Sequence, residues 1–118
     1  MRVFNDNFII SKKTKKFILD LYNLMENIPR KDFFIKEKIN LTTFDLLENI
    51  YLANSDLDDF ETHYLNIIKN ISILDFLLEI LYRKKYISLK QLEKEGYLLT
   101  EITKMVKAWK KNKEGNNA

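Results

Sequence analysis

In 118 residues this chain has two glycines and one proline. That scarcity limits the fold more than any other feature, because these two residues are the commonest punctuation of turns. A chain so poor in them has few places to reverse and spends its length in long helices. The apolar spacing agrees. Phe17, Leu21, Leu24 and Ile28 recur at i, i+4, i+7 and i+11, one face of an α-helix. Pro29 stops that helix, since the residue before a proline is pushed out of the helical region. A second stripe begins between about Asp32 and Ile35 and reads Ile35, Ile39, Thr43, Leu46, Ile50 and Ala53, widened by Leu47. Asn54, Ser55 and Asp56 make the next break, with Ser55 or Asp56 as the N-cap of a third helix.

The third stripe, Phe60, Tyr64, Ile67, Ile71, Leu74, Leu78 and Leu81, alternates spacings of four and three without a fault. A capping box, Ser88-Leu-Lys-Gln91, opens a fourth helix that buries Leu92, Leu99, Ile102, Val106 and Trp109. These signals predict helices over about 14–28, 33–54, 57–84 and 88–111. They make one domain, 1–112, with residues 113–118 as a disordered tail. Short links between four amphipathic helices imply an all-α, antiparallel up-down-up-down four-helix bundle. A further apolar row on the third helix, Ile73, Phe76, Leu77 and Ile80, exceeds what one bundle core covers. With Met105 and Trp109, the residues Ile73, Phe76 and Ile80 are the candidate subunit interface of a homo-oligomer.

Charge is unevenly spread. Residues 1–38 carry nine basic and five acidic side chains, residues 39–82 one and eight, and residues 83–118 ten and four. Two basic ends flank an acidic middle, an asymmetry that points to polyanion contact. Up-down topology places the first link, with Arg30 and Lys31, at the same end of the bundle as the third, with Arg83, Lys84 and Lys85. Lys36, Lys38 and Lys90 lie within about two helical turns of that end. Together they form a candidate basic pole. Cations suit the end of the third helix but not the start of the second, where the helix dipole is positive. Lys104, Lys107 and Lys111 make a second candidate, a stripe along the fourth helix that could follow a phosphate backbone. Tyr82 and Tyr86 bracket the cations of the third link, an interleaving that can stack on unpaired bases. Asp56, Asp58, Asp59 and Glu61 at the start of the third helix suit its dipole and face lysines of the two termini.

Catalysis has no candidate. The chain has one histidine, His63, and no cysteine, so neither a di-iron bundle site nor a cysteine-ligated zinc site can be assembled. It has no glycine-rich phosphate loop and no nucleophile–histidine pair. No cofactor is expected. No apolar run approaches the roughly 18 residues of a membrane span, and the first residues lack a signal-peptide pattern. A cytoplasmic protein without membrane contact is the expectation.

Two segments carry a family resemblance. YNLMENIPRK (22–31) resembles the end of the first helix and the Pro-Arg-Lys turn of the accessory variability determinant proteins of diversity-generating retroelements. LLTEITKMVKAWKK (98–111) is similar to their closing helix, whose pattern Glu101, Ile102, Lys104, Met105, Val106 and Trp109 occupy. Thr103 and Lys107 stand where that pattern has glycine, and Asp75 and Glu79 where retroelement members tend toward arginine. The related bundle proteins encoded in intervening sequences of ribosomal RNA genes look similar too. The resemblance covers about residues 15–112. It implies a homopentamer of four-helix bundles that binds a reverse transcriptase and RNA or cDNA during mutagenic cDNA synthesis, without chemistry of its own. A scaffold that binds only proteins is the alternative.

Overall fold

The computed structural model describes residues 8–55 and 59–116. Among them are four α-helices, α1 (Ile9–Met25), α2 (Phe33–Asn54), α3 (Phe60–Arg83) and α4 (Leu89–Asn116), and one 3-10 turn, Arg30–Asp32. Each helix packs on two neighbours: α1 on α2 and α4, and α3 on α2 and α4. The bundle is 49 Å long and 29 by 22 Å across. None of its helices is long and apolar enough to cross a membrane.

All four sequence stripes point into one core. Phe17, Leu46, Ile50, Ile67, Leu81, Ile102 and Val106 are fully buried, and Leu21, Ile39 and Leu74 nearly so. Each buried Leu or Ile contributes about 1.5–3 kcal/mol relative to exposure, enough in sum to hold the helices together. Aliphatic packing alone leaves register loose, and polar pairs between α2 and α3 fix it. Asn70 donates to Asp45 at 2.8 Å, Asn66 donates to Asn49 at 3.4 Å, and His63 Nδ1 lies 3.2 Å from Asn49 Oδ1. Asn49 and Asn70 are both buried, where an unpaired amide would be costly.

The helix ends depart from expectation in four places, each with a local cause. α1 starts at Ile9, earlier than expected: Ile10 is buried there and the Phe8 ring packs edge-on against Trp109 at 4.9 Å, while the buried hydroxyls of Ser11 and Thr14 donate to the Phe8 and Ile10 carbonyls at 2.8 Å. It ends at Met25, before Ile28. Ahead of Pro29 the chain unwinds through two tight bonds, Asn27 N–H to Leu24 O and Ile28 N–H to Met25 O, both 3.1 Å. Ile28 still reaches the core. α3 is capped by Asp59, which accepts from the Thr62 N–H at 3.3 Å. Ser55, considered for that role, instead closes α2 and donates to Leu52 O at 2.7 Å. Asp56 and Asp58 lie outside the described residues.

The fourth departure is the supposed tail. α4 runs on to Asn116, where residues from 113 onward were expected to be disordered. Lys110 pairs with Glu114 one turn on at 3.6 Å, and the Lys113 ammonium sits over the Phe60 ring at 5.1 Å. The capping box is present as expected: Ser88 N–H donates to Gln91 Oε1 at 2.8 Å, and Gln91 N–H to Ser88 Oγ at 3.1 Å. Leu74, 1% exposed, is a direct probe of the shared core. Leu74→Ala is expected to destabilise the chain by about 2–5 kcal/mol, read as a lower urea midpoint.

Candidate nucleic-acid interface

The first and third links meet at one end of the bundle, and Asp32 is what joins them. Its carboxylate accepts from Lys84 Nζ at 3.0 Å and from the Tyr86 hydroxyl. The Lys84 ammonium also lies 6.0 Å from the centre of the Tyr86 ring. The Tyr86 hydroxyl and then Lys84 hold the Asp32 carboxyl below its ordinary range. The same bonds raise Lys84 and Tyr86 above theirs. A carboxylate with a depressed pKa contributes stability above its ordinary value of 3.8, and that contribution disappears as acid protonates it.

Around this clasp the candidate cations divide. Arg30 and Lys31 are exposed on the 3-10 turn. The start of α2 is therefore served by Asp32, the favoured sign for a helix N-terminus, and the cations expected there stand outside the helix proper. Lys85 is exposed too. Among the described residues, Arg30, Lys31 and Lys85 have no ion pair. Lys84 is committed to Asp32, and Arg83 to Glu79 at 3.0 Å. Lys90 is exposed in the first turn of α4. Lys36 is half-buried on α2 and less available, while Lys38 lies further along, lining an open groove with Lys69, Leu41, Asp45 and Ile73.

Lys85 has φ 66°, the left-handed conformation that glycine normally supplies at this position. Tyr86 N–H bonds Leu81 O, and Lys85 N–H bonds Tyr82 O, both at 2.9 Å. This is the Schellman closure of α3. A side chain in that conformation costs roughly 1–2 kcal/mol, so the chain carries a cation at the pole against its own backbone preference.

Lys104, Lys107 and Lys111 are exposed on α4. Lys104 lies about 22 Å along the helix from its start, and so belongs to another part of the surface. The pole and the stripe are separate. Lys110, next to the stripe, pairs with Glu61 at 3.5 Å and covers the Tyr64 ring at 4.6 Å, which is the expected pairing of acids at the start of α3 with C-terminal lysines.

The interface candidates also divide. Ile73 and Phe76 are exposed, Phe76 at 58%, whereas Ile80, Met105 and Trp109 pack against the chain's own core. Trp109 meets Phe8 and Phe60 edge-on, each at 4.9 Å between ring centres, and so closes the far end of its own bundle. Leu77 of the same row is buried. Phe34, 78% exposed, and Leu41, 65% exposed, add to the outer α2–α3 face. Neither stands out in the sequence, because the periodic stripe marks the opposite side of α2. Their i, i+7 spacing is the signal that could have found them.

Thr103 tolerates its glycine-like position by turning its hydroxyl back to Leu99 O at 2.8 Å, and Lys107 points to solvent. Among the described residues, no three of His, Asp and Glu gather in a metal-binding cluster. Lys85→Gly is expected to raise stability by about 1 kcal/mol, relieving the left-handed strain, while removing one charge from the pole. Urea denaturation checks the first effect, and a lowered midpoint would show that Lys85 holds the turn in some other way.

No curated protein matches the sequence. One family model does, over residues 8–113, a span that takes in α1, α2, α3 and nearly all of α4. That match agrees with the resemblance carried by residues 22–31 and 98–111, and the chain belongs to the bAvd-like family.

Proposed function

We propose that this chain is a non-enzymatic accessory protein that binds RNA or cDNA at the pole formed by its first and third links. In this reading it acts in the cytoplasm beside a reverse transcriptase, as the accessory variability determinant proteins it resembles do. The observation that carries the reading is the juxtaposition of Arg30, Lys31 and Lys85. These three cations have no ion-pair partner among the described residues, stand on links far apart in sequence, and are brought to one end by Asp32. A phosphate backbone suits such a cluster better than a single acidic side chain would, because it offers several charges at close spacing.

Three cations bind weakly alone. We place the bundle in a homopentamer, where a ring repeats the pole five times. Support comes from the outer α2–α3 face, where Phe34, Leu41, Ile73 and Phe76 are exposed; apolar patches of this kind mark contacts between proteins. Neighbouring helices run antiparallel in this arrangement. As α2 descends from Asn49 to Asp45 its partners on α3 rise from His63 to Asn70. Lys13 with Glu101 and Asp20 with Lys94 follow the same rule for α1 and α4. The same face favours a second reading, an oligomeric scaffold that binds other proteins and no nucleic acid.

Changing Arg30, Lys31, Lys84 and Lys85 to glutamine separates the two. The parent is expected to bind unstructured RNA with an affinity that falls steeply with salt. The variant binds more weakly, its log–log salt slope shallower by roughly 0.7 for each phosphate that it no longer neutralises, with its light-scattering mass unchanged. Equal affinity and slope at low salt would exclude the pole and favour the scaffold. Phe76→Asp is expected to reduce the mass toward one chain, and a parent already monomeric at micromolar concentration would contradict the ring.

A further inference from the structure

Among the described residues, Glu95 is the one acidic side chain that is buried, 2% exposed on α4. Its Oε1 has no hydrogen-bond partner, although burial normally demands one. The group beside it, across the seam, is another acid, Asp20 of α1. Asp20 is held by Lys16 of its own helix at 3.4 Å and by Lys94 of α4 at 3.9 Å. Two lysines thus balance one carboxylate, and both engage the outer one. The inner carboxyl has no cation of its own.

The other neighbours of α4 offer no compensation. Among the described helices, α4 packs on α1 and α3. The acids of α3 nearest in register, Asp75 and Glu79, are exposed, and Glu79 is taken by Arg83. About two turns away on the α1 side, Lys13 is taken by Glu101 at 3.4 Å. If both Asp20 and Glu95 were ionised, the buried one would face a like charge that Lys94 and Lys16, already engaged with Asp20, offset only in part.

We propose that the buried Glu95 keeps a proton beside the Asp20 carboxylate and that the pair acts as a latch on the α1–α4 seam, closed while the proton is present and loosened when it leaves. Glu95 is the holder and donates to the Asp20 carboxylate. Burial, and after it the charge of Asp20, push the Glu95 carboxyl up to about 7 from an ordinary value of 4.5. The sign follows from linkage. Between these values the folded chain holds a proton that the unfolded chain has released, so stability from this group falls as pH rises toward about 7. Asp32 acts in the opposite sense and at lower pH, so the two carboxylates leave distinct signatures. A seam that eases above neutral pH would let α1 shift against α4 within an otherwise intact bundle.

The test compares urea midpoints of the full chain at pH 6 and pH 8, beside Glu95→Gln. The parent midpoint is expected to fall between the two pH values, and the variant midpoint to change much less and to exceed the parent's at pH 8. Parent and variant differ only at residue 95, so contributions from the rest of the chain cancel in the comparison. A second reading needs no variant: the Glu95 carboxyl carbon, followed by NMR, should titrate near neutrality, and Asp20→Asn should move that midpoint to lower pH. A Glu95→Gln profile as steep as the parent's would overturn the latch, and so would a Glu95 resonance that titrates in the ordinary carboxylate range.

Discussion

Four separate helices, each with one apolar stripe, cannot be stable in water until every stripe is covered. Phe17, Leu46, Ile67 and Ile102, one from each helix, are all fully buried. Covering them is the constraint on which the rest of the molecule depends. With each helix packed on two neighbours, the links between helices are forced to the ends of a body 49 Å long. The polar pairs between α2 and α3 then set how far one helix slides along another. Functional placement is a consequence of this packing. No residue of the pole is part of the core, yet the core decides which links meet.

At the meeting point the energetics change character. Lys84 and Asp32 are partly open to water, and such pairs add little to stability. What the Asp32 clasp supplies is position. It neutralises Lys84, occupies Tyr86, and leaves Arg30, Lys31 and Lys85 facing outward. The left-handed Lys85 points the same way, since a glycine there would be easier on the backbone. In the proposed reading, that strain is accepted because it adds a cation to the surface that meets a polyanion. The buried Glu95 is a second local conflict, inside the bundle and linked to the pole only through the packing itself. Places where a sequence breaks its own rules are where function is expected to lie.

The periodic stripes of α1, α2 and α3 were legible because burial writes itself into spacing. Phe17, Leu21, Ile39, Leu46, Ile67 and Leu74 needed no structure to find. The capping box at Ser88 was equally plain, since it depends on two residues three apart. What was not legible depended on residues distant in sequence coming together. Asp32 reads as a turn residue until Lys84 and Tyr86 are seen beside it. Trp109 fits both a core and a subunit interface by spacing, and only Phe8 and Phe60 place it in its own bundle. The continuation of α4 past Lys111 rests on Lys113 reaching the Phe60 ring, and composition there suggested fraying. Nothing in the sequence sets Glu95 apart from the other acids of its charged helix, because its burial depends on where α1 lies.

The central claim is that the end of the bundle bearing Arg30, Lys31 and Lys85 is the surface that meets nucleic acid. Ultraviolet crosslinking of a short unstructured RNA to the full chain, followed by peptide mapping, tests it most directly. Tyr82, exposed beside the cations of the third link, is a natural point of attachment. The account predicts crosslinks in the peptides around residues 30–36 and 82–90. Crosslinks confined to the α4 stripe around Lys104, Lys107 and Lys111, or none at RNA concentrations that saturate a binding signal, would contradict it.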